Sequence, residues 1–371
     1  MRILICSSEY PPEGSGIAKV ILGIIEAINK TNIEIVACSP SGPDIFLGNS
    51  KLIEKTGILG LLYFWIRVAF FIKRTNWDVV WLHNPIPAVK IPLKSIICTY
   101  HSTYFGIREK MQLTKNILRH YYQICAIIEK ICIKNIPNGI FVGVSSQVCN
   151  ELKKIQKNIK PLLILNGVDT NRFSPSKSGI NTIKDGVFNN NQVILFVGRL
   201  DPTKFVDSII IAYQAIKNMK PLTKLIIIGD GPQKEYLIKL AQELCISDSI
   251  IFLGYQPNEN LPQYFNIADV VVCPYSGLVL FEAMASSKPI VAYDVEWHSE
   301  VITHLNNGIL VENLNHRELA NAVVFLLDNP ELCNVIGKRA REYTQNNLDW
   351  SIISNKYLSL FTTISKNHFD E

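Results

Sequence analysis

Arg199 and Lys204 stand five residues apart around a turn, directly after Gly198 and the apolar run Gln192–Val197. Two cations so spaced can hold a diphosphate, and a glycine lets backbone N–H groups approach a phosphate closely. A basic turn alone is common on any surface. The next features narrow the reading. Gly229-Asp230-Gly231-Pro232 follows a second apolar run, Leu225–Ile228, and would bring that strand end close to a nucleotide. Gly277 and Leu278 open a helical run, where free N–H groups and the helix dipole favour phosphate. Glu282 lies more than one turn into GLVLFEAMA. A carboxylate among apolar neighbours is seldom merely solvated, and this one could accept both hydroxyls of a ribose. Together these residues describe a grip on a nucleoside diphosphate.

Such residues need a strand–loop–helix scaffold, and the chain supplies it twice. Arg2–Cys6 leads into SSEYPPEGSG and a helical pattern from Ile17; Gln192–Val197 leads into GRLDPTK and a helical pattern from Val206. Further apolar runs alternate with helical segments: Ile33–Ala37, Val79–Leu82, Ser95–Tyr100, Ile140–Val144 and Leu162–Leu165, then Lys224–Ile228, Ile250–Leu253, Val270–Cys273 and Ile290–Tyr293. This alternation predicts α/β architecture, with two doubly wound parallel-sheet, Rossmann-like domains and ligands at the carboxyl ends of the strands. The expected boundaries are residues 1–175, 176–349 and a tail helix, 350–371, returning to the first domain. A linker is expected near Phe173–Asn191, which is rich in Ser, Asn, Gly and Lys.

Val197-Gly198-Arg199-Leu200 with Lys204, Gly229-Asp230-Gly231, Gly277 through Met284, and Lys288-Pro289-Ile290-Val291-Ala292 together resemble the retaining glycosyltransferase family 4. The resemblance covers nearly the whole second half. It implies the GT-B fold, two domains facing a central cleft, and transfer of a sugar from a nucleotide-diphosphate donor with retention of configuration. Gly198, Arg199, Lys204, Gly229, Gly277, Leu278 and Glu282 would bind the donor. Arg199 and Lys204 would be catalytic by stabilising the leaving diphosphate, with no metal or other cofactor required. In the first half, Tyr10-Pro11-Pro12 and Gly14-Ser15-Gly16 resemble the family's glycine loop, Ser15 standing between the glycines, and Gly16 would meet the donor phosphate. His101 ends a strand, where the family has a catalytic histidine beside the transferred sugar; a strand-end histidine can equally bond a local carbonyl. Asn166-Gly167-Val168-Asp169 resembles a structural turn at the domain junction, and His83-Asn84 is given no role in chemistry. One departure stands out. The family pairs two glutamates, and eight positions before Glu282 this chain has Pro274. A non-catalytic nucleotide-sugar-binding relative, or another GT-B enzyme such as a nucleotide-sugar epimerase, is therefore the alternative.

Composition bounds the rest. With 371 residues, 48% of them hydrophobic and 19% charged, the chain has apolar surface for two cores and is no disordered polymer. Nine cysteines are scattered singly with no CxxC pair, as befits small buried hydrophobes in a reducing compartment. No export signal opens the sequence, and Ile58–Ile72 is short of the ~20 residues a membrane span needs; it reads as a buried helix. Between Ile107 and Lys160 ten Lys/Arg face three acids, a surplus of seven against +5 for the whole chain. That stretch is either a solvated basic face or an attraction to anionic headgroups. The expectation is a cytoplasmic enzyme peripheral to the inner membrane face, with a UDP- or GDP-linked donor and a glycan or lipid-linked acceptor. No motif supports nucleic-acid binding.

Overall fold

The computed structural model describes residues 1–10, 16–28, 33–111, 118–175 and 191–369. The chain separates into two units, Met1–Asn166 with Trp350–Glu371, and Gly167–Asp349.

The first unit is built on β1 (Arg2–Ser7), β2 (Glu34–Ser39), β3 (Ile45–Phe46), β4 (Val79–His83), β5 (Ile96–Tyr100), β6 (Ile140–Gly143) and β7 (Leu162–Leu163). They form one parallel sheet in the order β3-β2-β1-β4-β5-β6-β7. The central strands are mostly apolar and almost wholly buried, as a sheet covered on both faces requires, with Ser7, His83 and Thr99 as buried polar residues toward their carboxyl ends. The winding direction reverses between β1 and β4, so their carboxyl ends mark a topological switch point. There the register sets Ser7 beside His83, and His83 beside Thr99.

The greasy segment is a helix, Ile58–Ile72, that buries Phe64, Trp65, Val68, Ala69 and Ile72 while exposing Leu59, Tyr63 and Phe70. It is thus a core helix on one face only. Among the described residues, no single helix is long and apolar enough to cross a membrane. The Tyr104–Met111 helix starts on a buried carboxylate. Glu129, from the Leu118–Cys132 helix, accepts the amides of Tyr104 and Phe105, each at 3.0 Å. The Trp350–Phe369 helix belongs to this unit and lies against the Gly16–Ile28 helix. A Cβ on Gly23 would clash with the Trp350 ring, so glycine permits that approach. Tyr357 and Phe361 then reach the sheet, with ring centroids 4.7 and 5.4 Å from that of Trp81.

The second unit repeats the plan with β8 (Gln192–Val197), β9 (Thr223–Ile228), β10 (Ile250–Gly254), β11 (Val270–Cys273), β12 (Ile290–Tyr293) and β13 (Ile309–Val311). All pair in parallel, in the order β10-β9-β8-β11-β12-β13, with the switch between β8 and β11. Phe173, the first residue of the expected linker, is instead buried in this unit. Its ring lies 5.9 Å from that of Phe265 and its carbonyl accepts Arg341 at 3.0 Å. Its apolar side chain outweighs its polar setting in the sequence. Most of that linker, 176–190, lies outside the described residues. Val168 N–H donates to Leu348 O at 2.8 Å, so the Gly167–Asp169 part of the expected turn is stitched to the far end of the second unit.

Candidate functional site

Beyond β8, Asp201 accepts the Thr203 amide at 2.8 Å and caps the short turn Pro202–Lys204. The same carboxylate reaches Arg199 Nε at 3.6 Å. Arg199 is otherwise a surface side chain, 72% exposed, so its charge is available to a ligand. Phe205 takes a left-handed conformation, φ +50°, which reverses the chain into the Val206–Met219 helix.

The amides of Gly198 and Gly229 bond within the fold. Gly198 N–H donates to Ile228 O at 2.9 Å, Leu200 N–H to Asp230 O at 3.0 Å, and Gly229 N–H to Gly254 O at 2.9 Å. The loop after β8 is therefore zipped to the loop after β9. Gly229 makes this possible, since at φ +141° a Cβ there would overlap the Gly198 carbonyl oxygen. These glycines shape the loop that carries Arg199; their own amides are spent inside the fold.

The Leu278–Ala285 helix begins after Gly277, which is exposed and has open space where a Cβ would stand. The first amides of a helix lack intrahelical acceptors, so this open end can receive an anion. One contact ties it to the Lys204 loop. Phe205 and Tyr275 pack with ring centroids 4.7 Å apart. Behind the turn, His298 is fully buried and its Nδ1 lies 2.9 Å from Tyr293 O. A proton on Nδ1 leaves Nε2 to accept the Ser276 amide at 3.4 Å. Burial first, and the nearby Lys204 charge among lesser causes, hold this histidine below its ordinary pKa. Uncharged, it braces the Gly277 turn. Sequence reading missed His298, because a lone histidine after Trp297 carries no spacing signal. Glu282, one turn further, is 4% exposed, and its charge adds to the burial that pushes the Cys273 thiol up to about 12. Pro274, where the family's other glutamate would stand, is itself buried.

In the first unit His101 follows β5, and its backbone N–H donates to Asn84 Oδ1 at 2.8 Å. Its Nε2 lies 2.9 Å from Nδ1 of His83, the last residue of β4, with the rings stacked at 18° and centroids 5.3 Å apart. The bond runs to a second histidine, where a local carbonyl was the plainer expectation. Burial pushes His101 down to about 3; burial, then the neighbouring His101, hold His83 well below its usual value. Both rings are neutral at physiological pH. Gly16 is the first residue of its helix, with nothing near the position of a Cβ. The preceding Pro11–Ser15 lies outside the described residues.

Two family models match the chain in tandem, "Glycosyltransferase Family 4" over residues 14–172 and "Glycosyl transferases group 1" over residues 180–343. The chain belongs to glycosyltransferase family 4. Among its relatives is the alpha-monoglucosyldiacylglycerol synthase of Acholeplasma laidlawii, 23% identical over 93% of each chain. Sucrose-phosphate synthase from Thermosynechococcus elongatus shares its fold with a TM-score of 0.82 at 21% identity, covering 98% of this chain and 99% of the other. Anabaena HepE, solved with UDP-glucose, does so with a TM-score of 0.73 at 18% identity, over 98% and 100%.

In this family 4 glycosyltransferase the Phe205–Tyr275 contact of the second unit joins the loop that carries Arg199 and Lys204 to the turn before the Leu278 helix, and His298 braces that turn from behind. The GT-B fold and transferase class implied by the sequence stand.

Proposed function

We propose that the second unit binds the diphosphate of a UDP- or GDP-linked sugar and that the enzyme transfers the sugar, with retention, to a hydroxyl of a lipid-linked or glycan acceptor. The observation that carries this is the junction of the Arg199–Lys204 loop with the open Leu278 helix end. Sugar transfer passes through an oxocarbenium-like state while charge grows on the departing diphosphate. Arg199, Lys204 and the Gly277–Leu278 amides stabilise that charge most when it is most developed. Two cations and a helix dipole would take the place of a divalent ion. Gly198 and Gly229 hold the loop in shape, Glu282 receives the ribose hydroxyls, and Gly16 and His101 are the first unit's contribution to transfer. Arg199→Ala and Lys204→Ala should each lower donor turnover by about 10²-fold or more. Near-normal rates in both would sink the proposal, and unchanged turnover in EDTA is expected. Thermal stabilisation by a panel of UDP-, GDP- and ADP-sugars identifies the base, since a ligand of the folded state raises the melting point.

The acceptor side is proposed to work at an anionic membrane surface. On the Leu118–Cys132 helix, Ile124, Ile127 and Ile131 share one face and are 56, 58 and 60% exposed. Arg119, Lys130 and Lys134 are exposed around them, whereas two of the segment's three acids, Glu129 and Glu151, are buried. An apolar stripe flanked by cations suits a headgroup layer, each basic residue adding about 1 kcal/mol near such a surface. The likeness to a diacylglycerol-glycolipid synthase supports the same reading. Sedimentation with phosphatidylglycerol vesicles at low salt should capture the protein, and Ile127→Asp should weaken capture. No binding by the unaltered chain counts against it.

A further inference from the structure

The proposed role of His101 leaves a question of protons, because its Nε2 is already engaged by another ring. His83 is 1% exposed, and Trp81 packs against it with centroids 4.4 Å apart. Trp81 is itself fixed, donating from Nε1 to Thr99 Oγ1 at 2.8 Å, and Thr99 also meets the Tyr357 hydroxyl at 3.3 Å. Asn84, in a left-handed conformation at φ +46°, holds the backbone of His101. Both partners of the 2.9 Å bond are thus locked in place.

One proton lies between His83 Nδ1 and His101 Nε2, and two arrangements are possible. If His101 donates, His83 must carry its own proton on Nε2. That atom is buried and has no hydrogen-bond partner among the described residues, so the result is an orphaned N–H. If His83 donates from Nδ1, its Nε2 is only a bare acceptor, the less severe fault. The second arrangement forces the His101 proton onto Nδ1. Among the described residues nothing hydrogen-bonds His101 Nδ1, and the residue is partly exposed.

We propose that His83 is a positioning residue: by donating to Nε2 it fixes His101 as the Nδ1–H tautomer, which presents an uncharged hydrogen-bond donor to an oxygen of the sugar being transferred. Burial, complete at His83 and partial at His101, favours the neutral pair and so preserves the arrangement. His101 is then a donor and not a base. The inference rests on the reading of His101 as a transfer residue.

Three variants of the full chain and one spectrum test it. His83→Phe keeps a stacked ring and removes the hydrogen bond. His83→Asn places an amide where Nδ1 was. His101→Ala removes the working group. With a turned-over donor, His83→Phe should lose about 10- to 100-fold in kcat, as when a partner orienting a histidine is removed elsewhere, with little change in donor KM. His83→Asn should recover most of that loss. Nitrogen-15 NMR of the unaltered protein should show His101 protonated at Nδ1. Protonation at Nε2 overturns the inference, as does wild-type kcat in a folded His83→Phe alongside an inactive His101→Ala; in both cases the reading of His101 survives. Normal turnover by His101→Ala overturns that reading, and this inference with it. If His83→Phe does not fold, the Asn variant and the spectrum still decide.

Discussion

Arg199 and Gly229 sit on neighbouring loops, yet they should fail in opposite ways. Arg199 is 72% exposed with one long ion pair, so Arg199→Ala should move stability by less than about 0.5 kcal/mol while removing turnover. Gly229→Ala puts a methyl into the Gly198 carbonyl at a backbone angle of φ +141°. That should cost about 2–4 kcal/mol and disable the donor site by distorting its loop. Denaturant melts beside donor-turnover assays separate the two, and equal stability losses would contradict the assignment. Spacing brought Arg199, Lys204 and Gly277 to notice, because charge and glycine after a strand are local signals. It gave no account of His298 or of the His83–His101 bond, which join residues 22 and 18 positions apart through tertiary packing.

At the scale of elements, the Val206 helix start and the strands Val270–Cys273 and Ile290–Tyr293 fall where apolar runs and turns put them, since each is long enough to show its pattern. β3 and β13, two and three residues long, are too short to show one. The helix beginning at Tyr104 owes its start to Glu129, 25 residues away along the chain. Burial pushes that carboxyl up to about 7, against the two amides that draw it down, and the Glu151 charge pushes the same way as burial. An acid whose folded pKa is raised binds its proton more tightly in the native state. Its contribution is therefore full below about 4.5 and is lost as pH rises through about 7, a loss of about 3 kcal/mol. Glu129→Gln should flatten the fall in stability over that window in urea titrations. An unchanged slope would mean that Glu129 titrates normally.

Over the whole molecule, the doubling of a strand–loop–helix unit is what made the architecture readable, because the same pattern occurs in each half. What the pattern does not contain is the way the first unit is completed. Phe361 is fully buried and packs on Trp81, which in turn packs on His83. Phe361→Ala should leave a cavity costing about 3–5 kcal/mol and loosen the wall behind the two histidines. A lower urea midpoint together with reduced kcat is expected. Loss of stability at unchanged kcat would show that wall and chemistry are separate.

Gly23 and Trp350 meet although 327 positions of chain separate them, and every residue of the second unit is made in between. During synthesis the first unit therefore waits for its final buttress until the whole second unit has been made. Until Tyr357 and Phe361 are made, the face of Trp81 that they cover has no partner ring, so the wall behind the paired imidazoles stays incomplete until synthesis has passed the end of the second unit.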